Sequence, residues 1–442
     1  MESFSLFPAG GRMERVVALS GSGSLSAGQL LGAAEQLAER VRTFPAAELA
    51  LLTSSRWDGL VGLVAASLAE KQLLLVPARR GVAPALPGDA GRIVSQADAT
   101  GAAGEFSVPS PGAVSSGRDV SLRPERGLCA VLTSGSTGQP ERHDKTVAQL
   151  LGEVETQREL LGWGEGDVVL PSVPGHHVYG LLFAVLLPLV SGARLVVDAG
   201  AEPENFHPQT FARLARELGA TRLVTVPAHL RTLLDASFEL GPVRQVVCSG
   251  APLDPRHASE FEQRYGVEVL DVLGSTETGG IALRRAARSP RWSPLPGLRL
   301  RADEEDRLWL RSPFAWGVEV ERATGDRVKL HDDGTLEHLG RDDGVVKVGA
   351  KRTSLQELER VACEIPGVGA AVARSRAVGG LRGEELWMLV ESADLDAAQV
   401  RAELVARLDA VFVPRRLRVL KRLPWSERGK MERSTFEAAF DA

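Results

Sequence analysis

The chain has 442 residues, 44% hydrophobic and 25% charged, enough for two or three domains with a large core and unlike disordered or fibrous proteins. A formal net charge of −5 argues against general nucleic-acid binding, and the longest apolar run, residues 180–190, is too short for a membrane span and contains Pro188. Three scattered cysteines (Cys129, Cys248, Cys363) without zinc-like spacing, and an N-terminus without a signal-peptide core, predict a soluble cytoplasmic protein.

Residues 26–43 carry helical periodicity at Leu30, Leu31, Ala34, Leu37, Ala38 and Val41. Residues 48–53 then read as a strand, 57–70 as a helix and 72–76 as a strand, a rhythm that predicts a parallel sheet covered by helices. Residues 98–118, rich in Gly, Ser, Ala and Pro, read as a long connection. The apolar run 128–132 predicts a buried strand that empties into LTSGSTGQP (132–140). Backbone N–H groups and hydroxyls presented together suit a phosphate, although no Walker pattern is present and a flexible surface loop reads as well from this stretch alone.

The alternation resumes with a helix at 147–161, a strand at 167–172, a buried helix at 181–190 and a strand at 194–197. Helices at 208–218, 228–236 and 254–265 follow, with strands at 222–226, 243–249 and 267–273; the last two run into GAPL and GSTETGG. Such strand-to-loop transitions gather loops at the carboxyl edge of a sheet, where open α/β folds bind ligands. Past Ile281 come a basic, Pro-rich stretch (284–301) and short antiparallel strands at 308–310 and 335–339. Beyond residues 340–344 a small α+β unit is expected, with a helix at 354–365, strands at 368–374 and 385–390, and a helix at 396–411. The fold class is therefore α/β: a large N-terminal domain (1–340) of mixed, largely parallel sheets with flanking helices and a small β-rich part, a hinge at 341–344, and a small mobile α+β C-terminal domain (345–442).

Five stretches occur in order: LTSGSTGQP (132–140), GHHVYGL (175–181), LGSTETGG (273–280), TGD (324–326) with GRDDGVVKVGAKR (340–352), and RGKMER (428–433). Together they resemble the acyl-adenylate-forming (AMP-binding) enzymes, that is, acyl-CoA synthetases, peptide-synthetase adenylation domains and luciferases. The resemblance covers nearly the whole chain, which is short for that family in its N-terminal region. The wording of residues 348–355 and the His143/Lys145 pair look most like the compact aryl-acid ligases of aryl-polyene and xanthomonadin-type pathways.

The resemblance implies a ligase in which a carboxylate attacks the α-phosphate of ATP, pyrophosphate leaves, and a thiol then attacks the acyl-AMP. Chemistry of this kind asks the protein mainly to position reactants and neutralise charge. Thr133, Ser134, Gly135, Ser136, Thr137 and Gly138 would hold the phosphates, and Glu277 with Thr137 would bind Mg²⁺. Gly250, Ala251 and Pro252, with Leu273, Gly274, Ser275 and Thr276, match the segments around adenine; Leu273 stands where an aromatic is usual. Asp326 matches the acid on the ribose hydroxyls, Arg341 the arginine near ribose and phosphate, and Asp343 the hinge. Lys430, in the C-terminal lid domain, would be the catalytic lysine reaching the substrate carboxylate and α-phosphate. His177 would border and gate the acyl pocket, with Tyr179, Pro227, His229, Leu230, Gly279, Gly280 and Ile281 near it. Small residues with a few polar tips favour a compact aromatic acid such as a hydroxybenzoate.

Plainer readings remain for each: a capping or solvated carboxylate for Glu277, a turn residue for Asp326, a satisfied core pair for His176 and His177, and a solvated basic face around Lys430. The basic segment 413–433 suits an acidic acyl carrier protein as thiol acceptor, with CoA as the alternative. A fatty acyl-CoA synthetase and a non-catalytic binding relative are the competing functions. The last is suggested by Glu141, which replaces the lysine usual after the loop's proline; Arg142 or Lys145 is expected to supply the missing charge.

Overall fold

A computed structural model describes residues 3–7, 13–53, 55–76, 90–112, 115, 120–134, 140–197, 206–236, 238–315, 320–341, 345–348, 351–377, 384–408, 410–426 and 431–441. Packing divides the chain into two compact units: residues 1–290 with 294–298 and 312–320, and residues 291–293 with 299–311 and 321–442.

The first unit holds two sheets. In one, the strand order is Pro140–Thr146, Gly127–Ser134, Gln72–Leu75, Glu48–Leu52, Gly91–Val94 and Glu105–Ser107. The pairs are parallel except the first, an antiparallel hairpin. Helices Ala27–Arg42 and Arg56–Leu68 pack with this sheet, and the apolar stripe expected for the first of them is fully buried at Leu30, Leu31, Ala34 and Leu37. Ser26 starts that helix with a reciprocal capping box to Gln29. The stretch expected as a bare connection at 98–118 contributes the edge strand Glu105–Ser107; at three residues it is too short to show a period of two.

The second sheet runs Gly279–Arg284, Glu268–Ser275, Gln245–Cys248, Arg222–Thr225, Val168–Pro171, Arg194–Val196, Val16–Ser20 and Gly23–Ser26. Its interior pairs are parallel, with an antiparallel hairpin at each end. The carboxyl ends of the parallel strands therefore share one edge. The hairpin over residues 16–26 was not foreseen, because its partner in the sheet is remote in sequence. The buried helix expected at 181–190 is a composite: α-helix Val178–Leu181, a π-turn Leu182–Leu186 and α-helix Leu187–Ser191. The wide turn sits directly before Pro188, whose missing N–H and bulky ring disturb the preceding turn of a regular helix.

In the second unit, strands Arg299–Ala302, Arg307–Arg311, Arg322–Leu330 and Leu336–Arg341 form an antiparallel sheet, with Trp292 opposite Leu336 at its end. The remainder carries helix Leu355–Cys363 and a sheet of Ala370–Ala377, Glu384–Glu391 and Arg416–Leu420. Helix Ala397–Arg407 packs onto it through Val400 and Leu404, which are fully buried with Leu358, Met388 and Val390. Among the described residues no helix is long and apolar enough to cross a membrane.

Candidate active site

Glu277 sits at the tip of a tight turn. Ser275 pairs with Gly279 across the hairpin of Glu268–Ser275 and Gly279–Arg284, leaving Thr276, Glu277 and Thr278 as the loop. Gly279 has φ +70°, the left-handed position that three-residue hairpin loops assign to glycine. The turn is tied internally: Ser275 Oγ and Thr278 Oγ1 lie 3.0 Å apart, each hydroxyl accepts from the other residue's backbone N–H at 3.2 Å, and Ser312 Oγ donates to the Thr278 carbonyl. The alternating hydroxyls and glycines of GSTETGG thus build a rigid pedestal that leaves the Glu277 carboxylate 56% exposed.

A second hairpin stands beside it. Strand Gly127–Ser134 pairs with Pro140–Thr146 so that Ser134 faces Pro140 and Thr133 faces Glu141. Thr133 and Ser134 end the first strand; Gly135, Ser136, Thr137 and Gly138 lie outside the described residues. Strand alternation puts Glu141, His143 and Lys145 on one face and Arg142 and Asp144 on the other. Arg142 is bound to Glu48 at 2.6 Å and to Asp144 at 2.7 Å, contacts that raise its pKa above the ordinary value. Lys145 is 3% exposed and donates to the Phe314 carbonyl at 3.3 Å. Neither residue is placed as expected to replace the charge lost at Glu141. His143 does approach the site: its Nε2 lies 3.5 Å from Glu277 Oε1.

Behind the Glu277 turn lies a buried polar cluster that sequence reasoning missed. Helix Val147–Leu161 starts at a Thr146–Gln149 capping box and presents Glu153 and Gln157, one turn apart and 2% and 1% exposed. Glu153 Oε1 accepts from the Gly280 N–H at 2.9 Å. Burial raises the Glu153 pKa to about 7, and burial lowers that of Lys145, against the opposing pull of the Glu153 carboxylate. Both side-chain polar atoms of Gln157 are buried without a hydrogen-bond partner. The only signal in the sequence was a Glu and a Gln at helical spacing on an otherwise apolar stripe.

At the carboxyl edge of the second sheet, His177 is the N-cap of the short helix Val178–Leu181, its ring 4.4 Å from that of His176. Tyr179 does not offer its hydroxyl to a pocket as expected: the group is shared between the Thr225 carbonyl at 3.0 Å and the Val247 carbonyl at 2.8 Å, and burial raises its pKa well above the usual value. His229 Nδ1 lies 2.9 Å from Ser172 Oγ, its ring stacks on Phe206 at 4.0 Å, and burial lowers its pKa to about 4, so it is neutral near pH 7. Leu230 is fully buried in the core under these strands. Gly250, Ala251 and Pro252 follow strand Gln245–Cys248 at the same edge, and Leu273 and Gly274 lead into the Glu277 turn.

In the second unit, Asp326 and Arg341 are register partners on adjacent strands. Asp326 is 6% exposed; His338 Nε2 lies 2.9 Å from its Oδ1, and Arg341 Nη1 lies 3.9 Å away. A Cβ at Gly325 would come within 2.7 Å of Arg341 Nη2, so the glycine of TGD, which lies within strand Arg322–Leu330 and not in a turn, lets the guanidinium lie across the strand. His338, which the sequence did not single out, orients the Asp326 carboxylate. Asp343 and Lys430 lie outside the described residues.

The exposed Glu277 side chain fits Mg²⁺, which commonly takes one or two protein carboxylates and fills its remaining positions with phosphate oxygens and water. Residues 65–308 match the family described as AMP-binding enzyme, and the chain belongs to that family of ATP-using, acyl-adenylate-forming ligases. It is 30% identical over 309 residues to a 4-coumarate–CoA ligase of Halorhodospira halophila, covering 68% of this chain and 74% of the relative. It is 28% identical over 341 residues to the p-hydroxybenzoic acid–AMP ligase FadD22 of Mycobacterium marinum, covering 69% of this chain but about half, 48%, of that protein. In fold it resembles the crystal structure of ATP-bound MatB from Rhodopseudomonas palustris, with a TM-score of 0.81 at 19% identity over 97% of this chain and 96% of that one.

Proposed function

We propose that the protein adenylates an aromatic acid such as a hydroxybenzoate and passes the acyl group to a thiol, the phosphopantetheine of an acyl carrier protein. The observation that carries this reading is the Glu277 turn standing against His143, on strand Pro140–Thr146, which follows the hydroxyl- and glycine-rich residues 133–138 in sequence. The family supplies the reaction class, and the two relatives named above are, by their names, ligases of aromatic acids.

In this reading residues 133–138 receive the β- and γ-phosphates, Asp326 and Arg341 hold the ribose, and Gly250–Pro252 with Leu273–Thr276 flank adenine. Glu277 and Thr137 would hold Mg²⁺, whose charge would offset that developing on the leaving pyrophosphate. Lys430 draws the acid's carboxylate toward the α-phosphorus; a new C–O–P linkage forms as the bond to pyrophosphate breaks. The thiol then attacks the activated carbonyl and AMP departs. His177 borders the acid. The chain works as an AMP-binding domain (1–340), a hinge (341–344) and a lid (345–442), in a reducing cytoplasm. Arg415, Arg416, Lys421 and Arg422 are exposed at the two ends of strand Arg416–Leu420, which suits an acidic carrier.

Acid-dependent ATP–pyrophosphate exchange tests the reading. Exchange stimulated by hydroxybenzoates and not by fatty acids supports it, and the reverse contradicts it. Transfer to a phosphopantetheinylated carrier that weakens with salt supports the acceptor; transfer to CoA alone contradicts that part.

A further inference from the structure

We propose that Glu153 and Gln157 form the polar end of the acid-binding site and select an aromatic acid that carries a hydroxyl on the ring edge away from its carboxylate. The proposal rests on the aryl-acid reading above and names the feature of the acid that this chain recognises.

Gly279 and Gly280 follow directly on the Glu277 turn. A Cβ at Gly280 would lie 2.7 Å from Glu153 Oε1 and 3.2 Å from Gln157 Nε2, and one at Gly279 would lie 2.7 Å from Glu153 Oε2. The two side chains therefore reach right up to a strip of bare backbone. Along that backbone Gly280 is three residues beyond Glu277, at most about 10 Å of extended chain. An acid with its carboxylate on the Glu277 side would bring the far edge of a single ring to Gly280, whereas a long acyl chain would overrun it.

The chemistry of the cluster narrows the group further. Gln157 keeps a donor and an acceptor with no partner although it is 1% exposed, and such orphans cost stability unless something satisfies them. Glu153 uses one carboxylate oxygen on the Gly280 N–H, leaving the other beside Gly279. A hydroxyl accepts from Gln157 Nε2–H while donating to a carboxylate or amide oxygen, so it serves both side chains at once. The Lys145 ammonium, which donates to the Phe314 carbonyl, acts on Glu153 as its counter-charge.

The test compares 4-hydroxybenzoate with unsubstituted benzoate in pyrophosphate exchange by the wild-type chain and by Gln157→Leu and Glu153→Gln. A buried site built to bond a hydroxyl rejects the analogue that lacks it by well over tenfold. The wild type is expected to prefer 4-hydroxybenzoate by at least about tenfold in kcat/KM, and Gln157→Leu to lower that ratio about tenfold. Gln157→Leu should unfold no earlier than the wild type, because it removes an unsatisfied amide. Glu153→Gln, which keeps the shape, checks the same ratio should Gln157→Leu fail to fold. A wild type that uses both acids equally, or variants with an unchanged ratio, would mean that the cluster only houses a structural water and would overturn the proposal. Exchange with fatty acids and no aryl acid would instead overturn the aryl-acid reading on which it stands.

Discussion

His143 Nε2 lies 3.5 Å from Glu277 Oε1, so strand Pro140–Thr146 touches the tip of the Glu277 turn. Arg142 is turned to the opposite face and held by Glu48 and Asp144, while Lys145 is buried. His143 is the basic residue of this strand that meets Glu277. His143→Ala is expected to raise the KM for MgATP about tenfold, the scale seen when a partner of a metal ligand is lost. Arg142→Ala should stay within about twofold, since it breaks only half-exposed ion pairs. Pyrophosphate exchange at varied MgATP distinguishes the two.

The Glu277 pedestal depends on Gly279. With φ +70° and a would-be Cβ 2.6 Å from that of Phe314, Gly279→Ala combines backbone strain with a steric clash. We expect a stability loss of about 2–4 kcal/mol and loss of adenylation. Thermal unfolding of the variant measures the first, and exchange at a temperature where it remains folded measures the second.

Tyr179→Phe should act on stability and not on the choice of acid. Its hydroxyl ties together the Thr225 and Val247 carbonyls of neighbouring strands, and removing it leaves two buried acceptors short of a donor. A loss of about 1–3 kcal/mol is expected in denaturant unfolding, with the ranking of acids unchanged.

Asp167 sets an acid limit to the fold. Burial alone would raise its pKa, but hydrogen bonds from Arg222, Thr221 and Arg244 outweigh burial and bring it down to about 2. Because the folded value is depressed, the stabilisation is fully present above the ordinary value of 3.8 and is lost as pH falls through about 2. Asp167→Asn should flatten stability over that window. At neutral pH it should cost about 3 kcal/mol by leaving the Arg222 charge buried without its counter-ion. Denaturant titrations between pH 2 and 7 would follow it, read against the ordinary acid unfolding of other groups.

Local pattern made most of this fold legible. The alternation of strands and helices from residue 147 to 273 recurs nearly element for element, since each helix carries its own apolar stripe and the helices after 207 and 254 open on a proline. Elements that owe their existence to remote partners were not legible: the hairpin over 16–26, the edge strand Glu105–Ser107 and strand Arg416–Leu420. The site divides in the same way. Glu277 and Asp326 are singled out by their motifs, and the structure adds which side chains contact them. His338 against Asp326 and Glu153 against Gly280 are contacts between strands or across 127 residues, which no window of sequence contains.

The proposed function requires the protein itself to turn acid and ATP into an acyl-AMP, with Lys430 acting on the transition state. Its most direct test is mass-spectrometric detection of the adenylate after mixing the protein with 4-hydroxybenzoate and MgATP in the absence of thiol. The wild type should accumulate 4-hydroxybenzoyl-AMP in amounts stoichiometric with enzyme. Lys430→Ala should still bind ATP yet form at least about a hundredfold less, the scale at which a transition-state charge contact is lost. Undiminished adenylate from Lys430→Ala, or none from the wild type with any acid, would contradict the account.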